Sequence, residues 1–575
     1  MLVAGVLIVP AATAAAPTVT RWVAVPVCAK PRPAHASCFA MRLVARQVAA
    51  GGAGAAAAQR AATSLPDFLT GPGGGYTPAD LASAYGVNPD TATTQTVAIV
   101  DAFRNPLVAV ELAAFDVQYG LPAETGTSFK VVNQAGGSDV SAVPTDVGWA
   151  GEIALDVQTV RGLCHKCKIV LVEANSSSFD DLATAVNTAA TTVGATIVSN
   201  SYGGNESAMP PADVTKYDHP GVAIIASTGD DGWYGWDKVN PTHSGTGQQM
   251  SQVPASLNTV VGVAGTSLYL NSDATRAAET VWNNNGPHDY DGWLLNDTGA
   301  SGGGCSQQFN AQNWQKNVAG YGTLGCATNR RSSTDIAAIA DPFTGYDIFL
   351  SFGQVSPGWF TYGGTSLAAP VVAALWGLAG GPGGVAYPAL SLYGHFKSDA
   401  TKHLYDVTLG GTGSCNTSTL ASCAYWWTTS PTGNPNLTGL GPLDCAWDSS
   451  TLDPATPLAN RYQCYAQKGY DGVSGVGTPI GTTPFTPMNP TAAIASPGTV
   501  THGVAKSFSG AGSTDPFPGG SIATYKWTWG DGQTTTSASP TANHTYAAAG
   551  ARTVKLTVTD NYGRNGSKSI SITVH

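Results

Sequence analysis

Charge is scarce in this chain. Asp, Glu, Lys and Arg together make up only 11% of its 575 residues, well under the roughly one quarter usual for soluble domains. With so few carboxylates to protonate, acidification alters the charge balance less than usual, which suits a protein working at low pH. The formal net charge is -10 and no basic stripe interrupts it, which argues against a nucleic-acid partner. Long apolar runs are also lacking. Residues 1–16 are apolar and end in Ala-Thr-Ala-Ala-Ala, but fall short of the ~18 residues that cross a bilayer. They read instead as a signal-peptide apolar region with a small-residue cleavage site, and the missing basic flank places the true start upstream of Met1. No other segment is apolar for long enough, so secretion with no membrane attachment after signal removal is expected. Finally, Cys164-His165-Lys166-Cys167 looks like half a zinc site, yet no second Cys-x-x-Cys or matching His pair completes it, which argues against zinc.

The chain has ten cysteines, an even number: Cys28, Cys38, Cys164, Cys167, Cys305, Cys326, Cys415, Cys423, Cys445 and Cys464. Their close sequential spacing predicts local disulfides formed in an oxidising compartment. A hydrophobic content of 43% over this length supports a large core and more than one domain.

Residues 17–75 are rich in Ala, Pro and Gly and read as a short leader with a flexible linker. From Tyr76 the pattern alternates. Thr96-Val97-Ala98-Ile99-Val100, Lys168-Ile169-Val170-Leu171-Val172, Thr196-Ile197-Val198-Ser199 and Val222-Ala223-Ile224-Ile225-Ala226 are strand-like. Helical stretches such as 107–119 and 179–191 lie between them. This predicts an α/β domain over 76–480, a parallel sheet with helices on both faces. Ligands of such sheets sit at the carboxyl ends of the strands. A Thr/Pro-rich linker follows at 481–490. Residues 491–575 switch to period-two strands such as Arg552-Thr553-Val554-Lys555-Leu556-Thr557-Val558, the pattern of a small immunoglobulin-like β-sandwich.

Four pieces carry chemistry. Glu152 and Asp156 lie four residues apart in Gly-Glu-Ile-Ala-Leu-Asp and project from one helix face. Two acids so placed repel unless a shared proton or hydrogen bond holds them together. Ser366 lies in Gly-Gly-Thr-Ser-Leu-Ala-Ala-Pro at the start of an apolar helix, where amide donors and the helix dipole favour an anionic intermediate. Pro370 is expected in the first turn of that helix, where its missing N–H matters little. Asp230, in Ser-Thr-Gly-Asp-Asp-Gly, follows a buried strand. A serine nucleophile needs a base, and the base needs an orienting group; a Glu–Asp pair supplies both. Each signal alone has a plainer reading: a chance Gly-Thr-Ser, a solvated helix face, an ordinary turn. Their combination and order argue for function.

These motifs, with Val198-Ser199-Asn200-Ser201-Tyr202-Gly203-Gly204, Val253-Pro254-Ala255-Ser256, Ser301-Gly302-Gly303-Gly304 and Gly475-Val476-Gly477-Thr478-Pro479, resemble the sedolisins. These are serine-carboxyl peptidases with a subtilisin-like fold. The resemblance implies Ser366 as nucleophile, Glu152 as general base, Asp156 as its partner and Asp230 in the oxyanion hole. It also implies protein or peptide substrates. An oxyanion repels a carboxylate, so Asp230 helps only when protonated, and an acid optimum is expected. Subtilisin's own chemistry lacks its histidine here. His165 lies in the cysteine loop and His219 precedes Gly-Val-Ala; Asp101, after the first strand, reads as structural.

His403-Leu404-Tyr405-Asp406-Val407-Thr408 and Lys468-Gly469-Tyr470-Asp471-Gly472 resemble the two halves of the family's structural calcium site. The implied ligands are Asp406, Asp471 and the carbonyls of Val407, Gln467 and Gly469. A cysteine-rich insertion at 411–465 separates the halves. The family resemblance also implies a large folded pro-domain, for which residues 17–75 are short. Residues 491–575 resemble a polycystic-kidney-disease-type (PKD) module, acting as a spacer or in substrate binding. Trp527 and Trp529 share one strand face, as a core pair would. A secreted, monomeric acid endopeptidase is the expected function. The alternatives are a tripeptidyl-exopeptidase and a catalytically silent binding or adhesion protein on the same scaffold.

Overall fold

The computed structural model describes residues 18–29, 31–49, 70–233, 251–284, 299–326, 329–412 and 461–575. The signal-like segment 1–16 and most of the insertion at 411–465 lie outside the described residues, as do Cys415, Cys423 and Cys445.

The first strands come from the segment read as a leader. They are β1 (Thr18–Pro26), β2 (Ser37–Cys38) and β3 (Met41–Ala49). β1 and β3 pair antiparallel over nine residues each, from Thr18 opposite Ala49 to Pro26 opposite Met41. The Ala- and Gly-rich composition belongs mainly to the residues that follow. The hairpin itself carries the β-branched and alternating pattern that a strand favours, as in Val23, Val25 and Val44.

The central sheet contains β4 (Thr96–Ala102), β5 (Phe129–Asn133), β6 (Lys168–Ala174), β7 (Ile197–Asn200), β9 (Ala223–Ser227), β10 (Val261–Leu270), β11 (Arg276–Val281) and β12 (Ile336–Ile339), while β8 (Tyr202–Asn205) lies outside it. The strand order is β11-β10-β9-β7-β4-β6-β5, with β12 also pairing β10. Every pairing is parallel except that of β10 with β11. Side chains alternate between the two faces. Val97 and Ile99 of β4 join one core with Leu155 and Val371, whereas Ala98 and Val100 join a second core with Leu182 and Val186. Helices cover both faces, as the alternation predicted. The relevant ones are α1 (Val108–Tyr119), α2 (Val147–Leu163), α3 (Phe179–Thr191) and α4 (Thr365–Leu378).

A second sheet, all antiparallel, runs in the order β1-β3-β14-β13, where β13 is Tyr346–Leu350 and β14 is Gly358–Gly363. β14 leads directly into α4. The leader hairpin is therefore part of the sheet that delivers Ser366.

The tail is a sandwich. One sheet pairs Lys506–Ser509 with Thr541–His544, and the other orders Thr534–Ser537, Ile522–Thr528, Gly550–Asp560 and Asn565–Val574. Trp527 and Trp529 are fully buried and stacked 5.3 Å apart, as a core pair. Three disulfides are present among the described residues: Cys28–Cys38, Cys164–Cys167 and Cys305–Cys326. Cys464 is also disulfide-bonded. The Cys164–Cys167 bridge disposes of the half zinc site, and it packs beneath Gly377 of α4.

Candidate active site

α2 begins at Asp146, whose side chain accepts from the Trp149 amide at 3.0 Å, a standard N-cap arrangement. Gln158 then ties the helix to β13 through two 2.8 Å bonds with the Phe349 backbone. From Trp149 to Leu163 every residue is buried. The helix-face reading of Glu152 and Asp156 as solvated acids is thereby excluded.

α4 starts at Thr365, two residues earlier than the apolar pattern indicates, with Gly364 at the N-cap. Pro370 is therefore inside the helix rather than in its first turn. Its absent N–H leaves the Ser366 carbonyl without the usual i to i+4 donor. That carbonyl accepts instead from the Ser201 hydroxyl at 3.3 Å. The proline thus opens a bond that ties α4 to the loop after β7.

The site forms where these elements meet. Ser366 Oγ donates to Glu152 Oε2 at 2.9 Å and also lies 3.2 Å from the Ser201 carbonyl. Ser201 Oγ donates to Asp156 Oδ1 at 2.9 Å. Ser366, Glu152 and Asp156 are all fully buried. Among the described residues no other group donates to Glu152 Oε1 or Asp156 Oδ2, and a proton shared between the two carboxyls would satisfy both oxygens. Burial, then Asp156 and Asp101, push the Glu152 carboxyl well above the usual range. Burial and Asp101 do the same to Asp156. As a pair these acids hold a proton at pH values where a solvated carboxyl has lost its own.

Asp230 stands on the other side of the serine. Its Oδ1 accepts from the Thr365 amide at 2.7 Å and the Thr365 hydroxyl at 2.8 Å, at the positive end of α4. Its Oδ2 reaches to 2.6 Å of the place a Cβ on Gly364 would occupy. Gly364 has φ +91°, so only glycine suits both the conformation and the approach.

The four catalytic candidates thus converge around Ser366. Three further groups escaped the sequence reading. Ser201 lies in a quoted motif but was given no part. Asp101 was read as structural; it is buried beside Glu173 across β4 and β6, and burial with that neighbour pushes it up to about 8. Ala40, from the leader, donates its amide N–H to Glu152 Oε2 at 2.9 Å. Nothing in the local sequence signals that contact. The histidines weighed earlier are engaged elsewhere, His165 with Asp90 and His219 with the Lys216 carbonyl.

A profile of the Subtilase family matches residues 146–380, and one of the PKD domain matches residues 487–574. Kumamolisin from Bacillus sp. strain MN-32 is 29% identical over 315 residues, covering 52% of this chain and 51% of that protein. Sedolisin from Pseudomonas sp. strain 101 is 28% identical over 356 residues, covering 59% and 56%. In sequence the chain is similar to sedolisins over its α/β part, and it carries a C-terminal PKD domain. In structure it resembles a Pseudomonas sedolisin, a serine-carboxyl proteinase solved with two molecules of pseudo-iodotyrostatin. The TM-score is 0.51 at 24% identity, over 71% of this chain and 95% of that one. The fold is accordingly subtilisin-like in its α/β part. The alignments span about half the length of the two curated relatives.

The sedolisin-type calcium candidates also come together. Asp406 accepts from the Gly469 amide at 3.0–3.1 Å. Asp471 accepts from the Gln467 and Ser474 amides, each at 2.8 Å. Val407 is buried between them and β11 in a small apolar cluster with Val281 and Val473. Burial raises both carboxyls, Asp471 to about 7, while Lys468 opposes the shift at Asp406. Among the described residues no group of three or more His, Cys, Asp and Glu gathers as a metal cluster. A set of two carboxylates with backbone carbonyls is the oxygen-only chemistry of a hard cation, so in kind the residues fit calcium.

Proposed function

We propose that the chain is a secreted serine-carboxyl endopeptidase that acts in acid through an acyl-enzyme on Ser366. One observation carries the reading: the Ser366 hydroxyl donates at 2.9 Å to Glu152, a buried carboxyl with no histidine hydrogen-bonded to it among the described residues. Glu152 takes the serine proton as Oγ attacks the scissile carbonyl, and returns it to the leaving amine. Asp156 holds the proton shared with Glu152 and is itself oriented by Ser201. Asp230, protonated on Oδ2, donates to the oxyanion while Oδ1 stays fixed by Thr365. Both the shared proton and the Asp230 donor require protonated carboxyls, hence the acid optimum.

Calcium belongs to the same proposal. Asp406 and Asp471 with the carbonyls of Val407, Gln467 and Gly469 would hold one ion, which pins two chain segments together by neutralising their carboxylates. Extracellular location is supported by the disulfides; no helix among the described residues is long and apolar enough to cross a membrane.

The test is prolonged digestion of a denatured protein by the full chain and by Ser366→Ala, at about pH 4 and pH 8, with cut sites mapped. Internal cuts at pH 4 that Ser366→Ala lowers by about 10⁴-fold or more are expected. Equal cutting at both pH values would overturn the mechanism, and release of successive tripeptides would replace the endopeptidase by an exopeptidase.

A further inference from the structure

Ser366 and Ser201 face each other in a reciprocal arrangement. Each hydroxyl has one proton to donate and two acceptors within reach. Ser366 Oγ lies 2.9 Å from Glu152 Oε2 and 3.2 Å from the Ser201 carbonyl. Ser201 Oγ lies 2.9 Å from Asp156 Oδ1 and 3.3 Å from the Ser366 carbonyl. Each serine thus donates either to one carboxyl of the pair or to the backbone of the other serine. The second choice is open to Ser201 because residue 370 is proline. In a continuous helix the amide of that residue would donate to the Ser366 carbonyl. All four residues are fully buried, so each hydroxyl proton goes to one of these acceptors or remains unsatisfied.

The charge on the carboxyl pair decides between the two positions. While the pair holds one proton, its remaining negative charge draws both hydroxyls, because hydrogen bonds to a charged acceptor are about twice as strong as neutral ones. Once the pair holds two protons that advantage is gone. Burial and neighbouring acids raise both carboxyls, whereas the Ser366 hydroxyl opposes the shift at Glu152 and the Ser201 hydroxyl opposes it at Asp156. The groups that face the pair are Asp101 from β4, with Glu173 of β6 and the Tyr202 phenol beside it, and Asp230 from the loop after β9. Tyr362 from β14 faces Glu152, with Arg42 of β3 beyond it.

We infer that Ser201 is a positioning residue for the reaction, its hydroxyl a two-position switch between Asp156 and the Ser366 carbonyl. This rests on the peptidase reading and adds to it what turns the site off in strong acid. In the first position Ser201 holds the Asp156 carboxyl, the pair keeps one proton, and the Ser366 hydroxyl points at its base. In the second the pair has taken another proton from solvent, and each serine hydroxyl turns to the carbonyl of the other. The nucleophile then points away from Glu152 and the site is silent. Only hydrogen bonds and that one proton change hands. Ser201 therefore sets the pH of the transition, because its donor favours the charged form of the pair.

The full chain is compared with Ser201→Ala, Ser201→Thr and Pro370→Ala on one fluorogenic peptide, with kcat and KM measured across the acid range and circular dichroism confirming each fold. Ser201→Ala is expected to move the acid limb of kcat upward by about one pH unit, the worth of one hydrogen bond to a charged group, with little change in KM. Ser201→Thr keeps the hydroxyl and is expected to restore the limb. Pro370→Ala adds an amide that competes for the Ser366 carbonyl, which biases the hydroxyl toward Asp156 and moves the limb downward. A limb that stays in place in Ser201→Ala, or that moves upward in Pro370→Ala, overturns the switch. In parallel, difference infrared spectra follow the protonated-carboxyl band over the same range, with Asp156→Asn assigning its Asp156 component. The band is expected to shift with the limb. A shifted band in chains that hydrolyse no peptide would sink the peptidase reading and leave the switch standing. Hydrolysis with neither limb nor band moved in Ser201→Ala would do the reverse.

Discussion

Around Ser366 the hydroxyl donates to Glu152 and Ser201 donates to Asp156, and on the proposed reading this carboxyl pair takes the place a histidine would fill. Histidine serves as base at neutral pH because its ordinary pKa lies there. Glu152 and Asp156 are both held well above the ordinary carboxyl range, Glu152 by burial and then by Asp156 and Asp101, Asp156 by burial and Asp101. Asp230 tests the other half of the mechanism. Asp230→Ala removes the donor and is expected to lower kcat by about 10²–10³-fold. Asp230→Asn keeps an oxygen for Thr365 and presents an amide that donates at any pH. Its loss should be smaller, and its pH profile should extend further toward neutrality than that of the parent. Steady-state rates on one fluorogenic peptide, from about pH 3 to pH 8, check both; coincident profiles for Asn and Asp would remove Asp230 protonation from the mechanism.

At the level of elements, the site depends on how α2, α4 and the loop after β7 are locked together. Ser201 bridges the Asp156 carboxyl on α2 and the Ser366 carbonyl on α4, a bond that exists because Pro370 vacates that carbonyl. Farther out, the strand pair Leu404–Tyr405 with Thr478–Pro479 closes the α/β domain. The calcium candidates on 406–407 and 467–471 flank the same closure. If calcium joins these segments, chelation with EGTA should lower the thermal midpoint of the α/β domain by about 2–4 °C for each kcal/mol of lost binding linkage. Asp406→Asn should show the lower midpoint and no further response to EGTA. A midpoint indifferent to chelation and to added calcium would reject the site.

Across the whole molecule the buried acids set the pH dependence of stability. Asp101 and Glu173 are pushed up to about 8 by burial, with Glu173 adding to the effect on Asp101. Glu152 and Asp156 shift in the same direction. In the unfolded chain such groups titrate near pH 4. Between about pH 4 and pH 8 the unfolded chain has released protons that the fold retains, so stability falls as pH rises through that window. Lowered carboxyls such as Asp90, Asp139 and Asp273 act in the opposite sense, but they are solvent-exposed and screened. The thermal midpoint should be highest near pH 4 and lower by about 2 °C or more at pH 8. Asp101→Asn should flatten that slope. A midpoint that rises over the same range in calorimetry would contradict the assignment of these shifts.

The sequence by itself determined the α/β alternation, the tail sandwich with its Trp527 and Trp529 pair, and the identity of the three carboxyl groups that gather around Ser366. These are legible because local periodicity and short motifs carry them: β4 and α2 are each specified by their own residues. Tertiary structure alone decided the rest. Whether Glu152 and Asp156 face solvent or a sealed interior depends on what packs around α2, and no window of α2 contains that. The part played by Pro370 depended on where α4 begins, which the N-cap at Gly364 and its approach to Asp230 fix. Asp101 entered the carboxyl cluster through the register of β4 with β6. Residues 36–41 look like an unremarkable leader because nothing within them records their partners. Those partners are Gly203, Gly363 and Glu152, more than a hundred residues away, and only folding brings them together beside Ser366.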